Sequence, residues 1–341
     1  MKTNIQKLLV GASVALCVSA IGTNPASAAS LTNPQVTGEK GVDYLIYEHV
    51  PNPDPEATTD FTRLNNDADL ETVLQGSCSV GGAFVPSNSC EKGEPGGNVE
   101  LFANSERLSL DEFLDYTTVT SLTGDLGDKS ITLSSLTATD WFGETLDTSY
   151  NYNVDNVDNL NLANEWFEAA LTSYGITNDL LRTANTLIPE IPNSKASLFN
   201  EFRDNGGFQR FSDPNIAYVD MDDMTGNLEV GLAGHYDGVD LIFNRLTDQQ
   251  KNLLSVFLQG KPVQAAELVK ITYEGETTYH YSFSAAESGL LEQGDMMSHT
   301  GIYDPELTSN VEVQEAPEPS FMLGSLLAAG GLFAAKRKQK K

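Results

Sequence analysis

Basic residues are scarce in this chain of 341 residues: Lys and Arg number 20 against 48 Asp and Glu. Seven of the 20 sit near the two ends, as Lys2, Lys7, Lys336, Arg337, Lys338, Lys340 and Lys341, so the body between them carries 13 cations and a charge near −35. Such a body offers no face that neutralises phosphate, which argues against nucleic acid as a partner. A solvated acidic exterior accounts for the excess, and divalent cations suit it. Cysteine is almost absent as well, with three in the whole chain: Cys17, Cys78 and Cys90.

Motifs that announce chemistry are missing too. The chain contains no G-x-S-x-G elbow, no H-E-x-x-H, no phosphate-binding P-loop and no G-x-G-x-x-G between strand and helix. Its four histidines are His49, His235, His280 and His299. His235, in Gly234-His235-Tyr236-Asp237 after a predicted strand, is the most exposed to a functional reading. A lone histidine there is more often structural. The acids are too numerous for a glycosidase pair to be read from spacing alone. Trp141, Trp166 and the tyrosines have faces that stack on sugars, yet the helical spacing of Trp166 places it in a core.

What is present begins with a leader. Lys2 and Lys7 precede the apolar stretch Leu8 to Ile21, and Ala26-Ser27-Ala28 supplies small residues for cleavage, the pattern of a secretory signal peptide over 1–28. Leu16 before Cys17 lacks the small side chain that a lipoprotein signal needs. Cys78 and Cys90 are then the only cysteines of the mature chain, an even pair in an exported protein, which predicts a disulfide. Glycine and proline crowd around them, and the ring closed would contribute about 3 kcal/mol in the chain-entropy account.

The middle of the chain alternates short elements. Val42 to Tyr47 and Val99 to Ala103 are strand-like, Asp69 to Gln75 suits a short helix, and Ser109 with Glu112 forms a capping box for a helix through Tyr116. From Ile131 a strand leads into a turn, followed by an Asx-rich loop over 151–161. Three helices come next: Ala163 to Tyr174 closed by Gly175, one capped by Asn178, and one from Ser194 to Gly206-Gly207. Ile216 to Met221 and Leu228 to Ala233 flank a polar turn, and Val239 to Phe243 reads as a further strand. Thr247 and Gln250 cap a helix ended by Gly260. Glu267 to Tyr273 and Thr277 to Phe283 form a hairpin around Glu274-Gly275-Glu276, with Tyr279, Tyr281 and Phe283 on one face and His280 on the other.

This order predicts an α+β fold with a largely antiparallel sheet and several short amphipathic helices. The expected organisation is a loop-rich region at 29–130, an α+β domain at 131–307 and a linker at 308–316. Asp220, Asp222 and Asp223 resemble the start of a calcium loop, but Thr225 and Gly231 stand where glycine and glutamate are required. Calcium is therefore a weak candidate ligand at those residues, and a hairpin turn is the stronger reading.

The last segment, 317–341, has three features in order. Pro317, Glu318 and Pro319 come first; Ser320 to Ala335 follow as 16 residues without charge; Lys336 to Lys341 form a basic tail. As a helix the run would be about 24 Å long, short of the roughly 30 Å hydrocarbon core. It spans with snorkelling help from its flanks, and the basic tail fixes itself on the cytoplasmic side. The arrangement resembles the PEP-CTERM sorting signal of exported bacterial envelope proteins. That resemblance implies a transmembrane sorting helix cut near the Pro-Glu-Pro by an exosortase-type membrane protease, after signal peptidase has acted. The stretches ITLSSLTATDWFG, LANEWFEAALTSYG, GGFQRFSDPNIAYV, VGLAGHYD, ELVKITYEGETTYHYSF and SGLLEQGDMMSHTGIY are similar to a group of cyanobacterial PEP-CTERM proteins with no assigned activity. The expectation is an exported envelope or extracellular-matrix protein with a structural or adhesive body and exopolysaccharide as a partner. The alternative is a secreted polysaccharide-active hydrolase.

Overall fold

Residues that alternate between apolar and polar give this chain most of its strands, and each helix starts where a side chain can accept the first free N–H groups. In the computed structural model the described residues are 31–54, 56–74, 77–80, 83–86, 97–153, 160–221, 228–242 and 246–303. The chain lays down β1 (Thr32–Thr37), β2 (Tyr44–Val50), β3 (Asp60–Leu64), the one-turn helix α1 (Leu70–Val73), the hairpin β4 (Ser77–Val80) and β5 (Ala83–Pro86), and β6 (Gly97–Leu101). A 3-10 turn at Ser105–Arg107 and α2 (Leu110–Asp115) lead into the hairpin β7 (Ser121–Leu126) and β8 (Lys129–Ser134). Five helices follow: α3 (Ala138–Phe142), α4 (Leu162–Ser173), α5 (Asn178–Leu187), α6 (Lys195–Asp204) and α7 (Gly207–Arg210). The rest comprises β9 (Asn215–Met221), β10 (Leu228–Gly234), α8 (Val239–Ile242), α9 (Asp248–Phe257), β11 (Val269–Tyr273), β12 (Glu276–His280), β13 (Ala285–Glu287), β14 (Leu290–Glu292) and β15 (Gly301–Tyr303).

The fold is mixed α and β, with large antiparallel sheets. A five-stranded sheet runs β1-β7-β8-β11-β12 and an eight-stranded sheet runs β13-β15-β10-β9-β6-β2-β3-β14. Every neighbouring pair in them is antiparallel except β14 against β3. Strands from either side of residue 130 are joined within both sheets, as β7 with β8, β8 with β11 and β6 with β9 show. The chain divides into two units, Met1–Asn310 and Val311–Lys341, of which the second lies outside the described residues.

A small apolar cluster around Ala217, Tyr218, Ala233 and Ile302 and two large ones lie among the described residues. Aliphatic side chains from both sheets meet in one, among them Ile46, Val99, Leu101, Leu122, Ile131, Leu133, Ile216, Leu232 and Ile271, each 2 % exposed or less. The other is aromatic and belongs to the helices: Trp141, Trp166, Phe167, Phe199, Phe208 and Phe211, with Tyr279, Tyr281 and Phe283 packed against it. Burial of this kind contributes roughly 25 cal/mol per Å² of apolar surface. Gly231 is required by contact: a Cβ there would come within 1.9 Å of the Tyr218 ring on the neighbouring strand.

Much of the local reading holds. Capping boxes close at Ser109/Glu112 and Thr247/Gln250, and Gly175 and Gly260 follow their helices with positive φ. β11 and β12 are joined by Glu274 and Gly275, both with φ > 0, as a two-residue hairpin demands. Four local expectations need correction. Val239–Ile242 is a helical turn and not a strand, because Asp237 Oδ1 accepts the N–H groups of both Val239 and Val263 and turns the chain there. Thr177, not Asn178, caps α5; its hydroxyl accepts from Leu180 N–H. The turn after β8 is α3, opened by a capping box of Thr137 and Asp140 that the spacing T-x-x-D already contained. The strand of Tyr279 ends at His280, short of Phe283.

The signal peptide with Ala26 and Ala28, Cys90, Asp222, Asp223, Phe243, the linker and the segment with Pro317, Glu318 and Pro319 lie outside the described residues. Cys78 falls in β4 and Asp220 in β9. The hairpin reading of the Asp220 region fits the register, in which Met221 pairs with Leu228.

Candidate functional site

The centre of the eight-stranded sheet has one aliphatic face and one polar face, and the polar face is built by simple alternation. On β6, Val99 and Leu101 enter the aliphatic core, so Asn98 and Glu100 project to the opposite side. Tyr47 of β2 stands across from Asn98, His49 stands across from Thr62, and Asn215 of β9 stands across from Glu100. The side chains that collect there are hydroxyl, amide, carboxyl and imidazole groups.

A strap formed by residues 288–300 includes edge strand β14, runs along the β3 edge of the sheet and sends His299 onto this face. It enters through Ser288, whose Oγ donates to the His299 carbonyl at 2.5 Å, and Gln293 N–H donates to the Thr62 carbonyl at 2.8 Å. His299, 4 % exposed and held at a positive φ, reaches from the strap to the sheet. Its Nδ1 lies 2.7 Å from Thr62 Oγ1, its Nε2 lies 3.2 Å from Asn98 Nδ2, and the Tyr47 ring meets it edge-on at 4.8 Å. The Asn98 amide donates to Nε2, which makes that nitrogen the acceptor and leaves the proton on Nδ1. Burial pushes this imidazole down to about 4, against a smaller opposing pull from Asp295.

From the imidazole, Asn98 and Tyr47 lead to a group of carboxyls. Asn98 Nδ2 also donates to Asn215 Oδ1 at 2.7 Å, and Asn215 donates through its backbone N–H and its Nδ2 to Glu267 Oε2 at 3.0 and 3.1 Å. Tyr47 Oη donates to Glu100 Oε2 at 3.2 Å. Asp213 is 5 % exposed; its Oδ2 accepts from Ser105 Oγ at 2.5 Å, and its Oδ1 has no hydrogen-bond partner. Asn98 Oδ1 is orphaned in the same way. Among the described residues no Lys, Arg or His forms an ion pair with Asp213, Glu267 or Glu100.

Burial without a cation raises the proton affinity of all three acids. Burial, then the field of Glu267 and Glu100, lifts Asp213 well above the carboxylate range. Burial lifts Glu267 likewise, with Glu100 adding to it and the Asn215 hydrogen bonds opposing. Glu100 is pushed up to about 7 by burial, against the hydrogen bond from Tyr47. Glu292 of β14 reaches about 7 through burial and the nearby Asp295. Each of these acids binds its proton more tightly than an exposed carboxyl does.

Chain comparisons return nothing to set beside this arrangement. No family model, no curated protein and no solved structure matches the chain.

The residues singled out from sequence are partly gathered here. His235 follows β10, under the carbonyl-to-hydroxyl contact by which Tyr303 Oη donates to its backbone oxygen, and burial lowers its imidazole. His49 bonds Asp60 Oδ2 at 2.9 Å and faces Thr62 across the ladder. His280 is elsewhere, on edge strand β12 beside Thr278. Both tryptophans are core: Trp141 is fully buried with its Nε1 donating to Ser212 Oγ, and Trp166 is 2 % exposed. Sequence reasoning did not find His299 or the three carboxyls. Asn98 and Glu100 carried a signal, polar residues alternating with apolar ones in a strand that turns out central; Asp213 and Glu267 carried none.

Among the described residues no group of three or more His, Cys, Asp or Glu converges as a metal site, and no helix is long and apolar enough to cross a membrane. A groove of about 380 Å³ beside α8 and α9 is lined by Asp237, Asp240, Asp248, Lys251 and Lys261 among others, with no aromatic wall. Lys251 there is paired with Asp240 at 2.5 Å.

Proposed function

We propose that this chain is an exported protein of the cell envelope or extracellular matrix, sorted through a PEP-CTERM signal and carrying a structural or adhesive body. The single observation that carries the reading is the ordered set of Pro317-Glu318-Pro319, an uncharged run of 16 residues and a basic tail. Two prolines before the run block helix continuation and leave an extended strand of chain for a protease. The run holds Gly324, Gly330 and Gly331 and is shorter than the roughly 20 apolar residues of a standing anchor, which suits a removable segment.

The body supports a non-enzymatic role by how it uses its groups. Tryptophans and phenylalanines that a sugar-cleaving cleft would display are spent on the interior, and the groove beside α9 has none. Asp213 is buried, and Glu100 and Glu267 are partly so. A hydrolase reading draws on the proton affinity of Glu100, but it also requires those acids to face a substrate.

The test is the C-terminal peptide of the mature protein recovered from cells, read by mass spectrometry. Cleavage near Pro319 is expected, and Glu318→Ala should leave the full-length form in the membrane. Retention of Ser320 to Lys341 in most molecules, with no effect of Glu318→Ala, means a plain anchor and ends the sorting reading.

A further inference from the structure

We propose that Asp213, Glu267 and Glu100 form a proton-holding latch: in their neutral forms they let His299 of the strap 288–300 stay seated on the polar face, to which Asn98, Asn215 and Tyr47 join them, and their ionisation loosens it. The geometry carries this. Asp213 is 5 % exposed, one of its oxygens has no partner, and no cation pairs with any of the three among the described residues. A carboxylate left so would be a buried, uncompensated charge, whereas a neutral carboxyl has only a carbonyl oxygen to leave unpaired.

The surroundings offer little to offset ionisation. From β2 comes Tyr47, from the 3-10 turn Glu106 and Arg107, from β14 and the strap Glu292, Asp295 and His299, and from β15 Tyr303, which feels the field of Glu267. Arg107 is the one cation among these with an effect on Glu100, and it is the least of the influences there. Arg210, from α7, is already taken by Glu106 at 2.6 Å. Burial lowers the proton affinity of both His235 and His299. Once charged, the three acids repel one another and Glu292, and His299 links that face to the strap through Asn98 and Thr62.

The sign is fixed by linkage. An acid whose folded value is raised contributes fully below its ordinary value, and that contribution is lost as pH rises through the folded value. His299 acts in reverse: its value is lowered, so stability is lost as pH falls from its ordinary 6.5 towards about 4. The strap is held best at mildly acidic pH, between these limits.

The test uses the full chain without added metal, with melting temperature followed from about pH 5 to about pH 9. The wild type should lose several degrees across that range, while Asp213→Asn and Glu267→Gln should each flatten the fall and melt higher than wild type at the alkaline end. In wild type alone, and so independent of any folding defect in the variants, the protection factors of the Ser288 and Gln293 amides should drop before those of β6. A flat wild-type profile, variants that keep the wild-type slope, or strap amides that stay protected at the alkaline end would each overturn the latch. Calcium added at neutral pH that raises the wild-type melting temperature and not that of Asp213→Asn would assign the cluster to a cation and overturn it equally.

Discussion

The helical layer and the polar face of the eight-stranded sheet bury side chains to a similar depth and are held by opposite means. In the helical layer the Phe208 ring lies 5.0 Å from Trp141, 5.1 Å from Phe142, 5.1 Å from Phe202 and 5.3 Å from Phe199, mostly edge to face. The ring contacts themselves need no polar partner, although Trp141 Nε1 donates to Ser212 Oγ, and their energy grows with area and packing. On the polar face each buried group depends on one or two named partners, and where the partner is missing, as at Asp213 Oδ1, only a change of protonation relieves the cost. A dry cluster tolerates small losses in proportion to volume; a polar one fails at single contacts and responds to pH.

The largest effect should come from the dry side. Phe208→Ala removes a fully buried ring from the middle of the cluster and should cost about 3–5 kcal/mol, read as a shift in the urea midpoint with an unchanged slope. Phe208→Leu keeps most of the volume and should cost less than half as much. If the alanine variant loses no more than about 1 kcal/mol, the aromatic cluster is not what holds the helices.

On the polar side, Thr62→Val is nearly isosteric and removes the hydroxyl from His299 Nδ1 while leaving the apolar packing in place. The stranded imidazole nitrogen should cost about 1–3 kcal/mol. Thr62→Ser should recover most of it. A neutral Thr62→Val would mean that water replaces the hydroxyl, and the contrast between a packed and a partner-dependent region would weaken accordingly.

The two regions also differ in how far they can be read from residues alone. The helices announce themselves: Ala163, Trp166, Phe167 and Leu171 recur at the helical period and are buried, and the helix read from Ser194 has that serine at its N-cap. Hairpins with local pairing are equally plain, as between β11 and β12. The polar face is assembled by contacts far apart in the chain, Thr62 to His299, Asn98 to Asn215 and Ser105 to Asp213. No periodicity encodes which of 48 acids will be enclosed, because enclosure depends on the strap and on the strand order β9-β6-β2-β3, which is not sequential. Val239–Ile242 failed as a strand for a related reason: the turn there is set by Asp237 accepting an N–H from Val263, 26 residues on.

A surface contact that is legible in sequence should give the smallest effect. Thr247 and Gln250 form a closed capping box at the start of α9: Gln250 N–H donates to Thr247 Oγ1, while Thr247 N–H donates to Gln250 Oε1 at 2.8 Å. Both residues lie near the surface, so water can replace part of each bond, and only the loss of the cap geometry remains. Thr247→Ala should cost about 1 kcal/mol, lowering the melting temperature by roughly 2–4 °C. Thr247→Ser keeps the accepting oxygen and should lie within about 0.5 kcal/mol of wild type. Neither change should alter the pH profile, since Thr247 bonds only Gln250, and the Gln250 Nε2 bond to Glu190 does not involve the threonine. A Thr247→Ala loss equal to that of Phe208→Ala would show that α9 nucleates the body, and that the dry cluster is secondary to it.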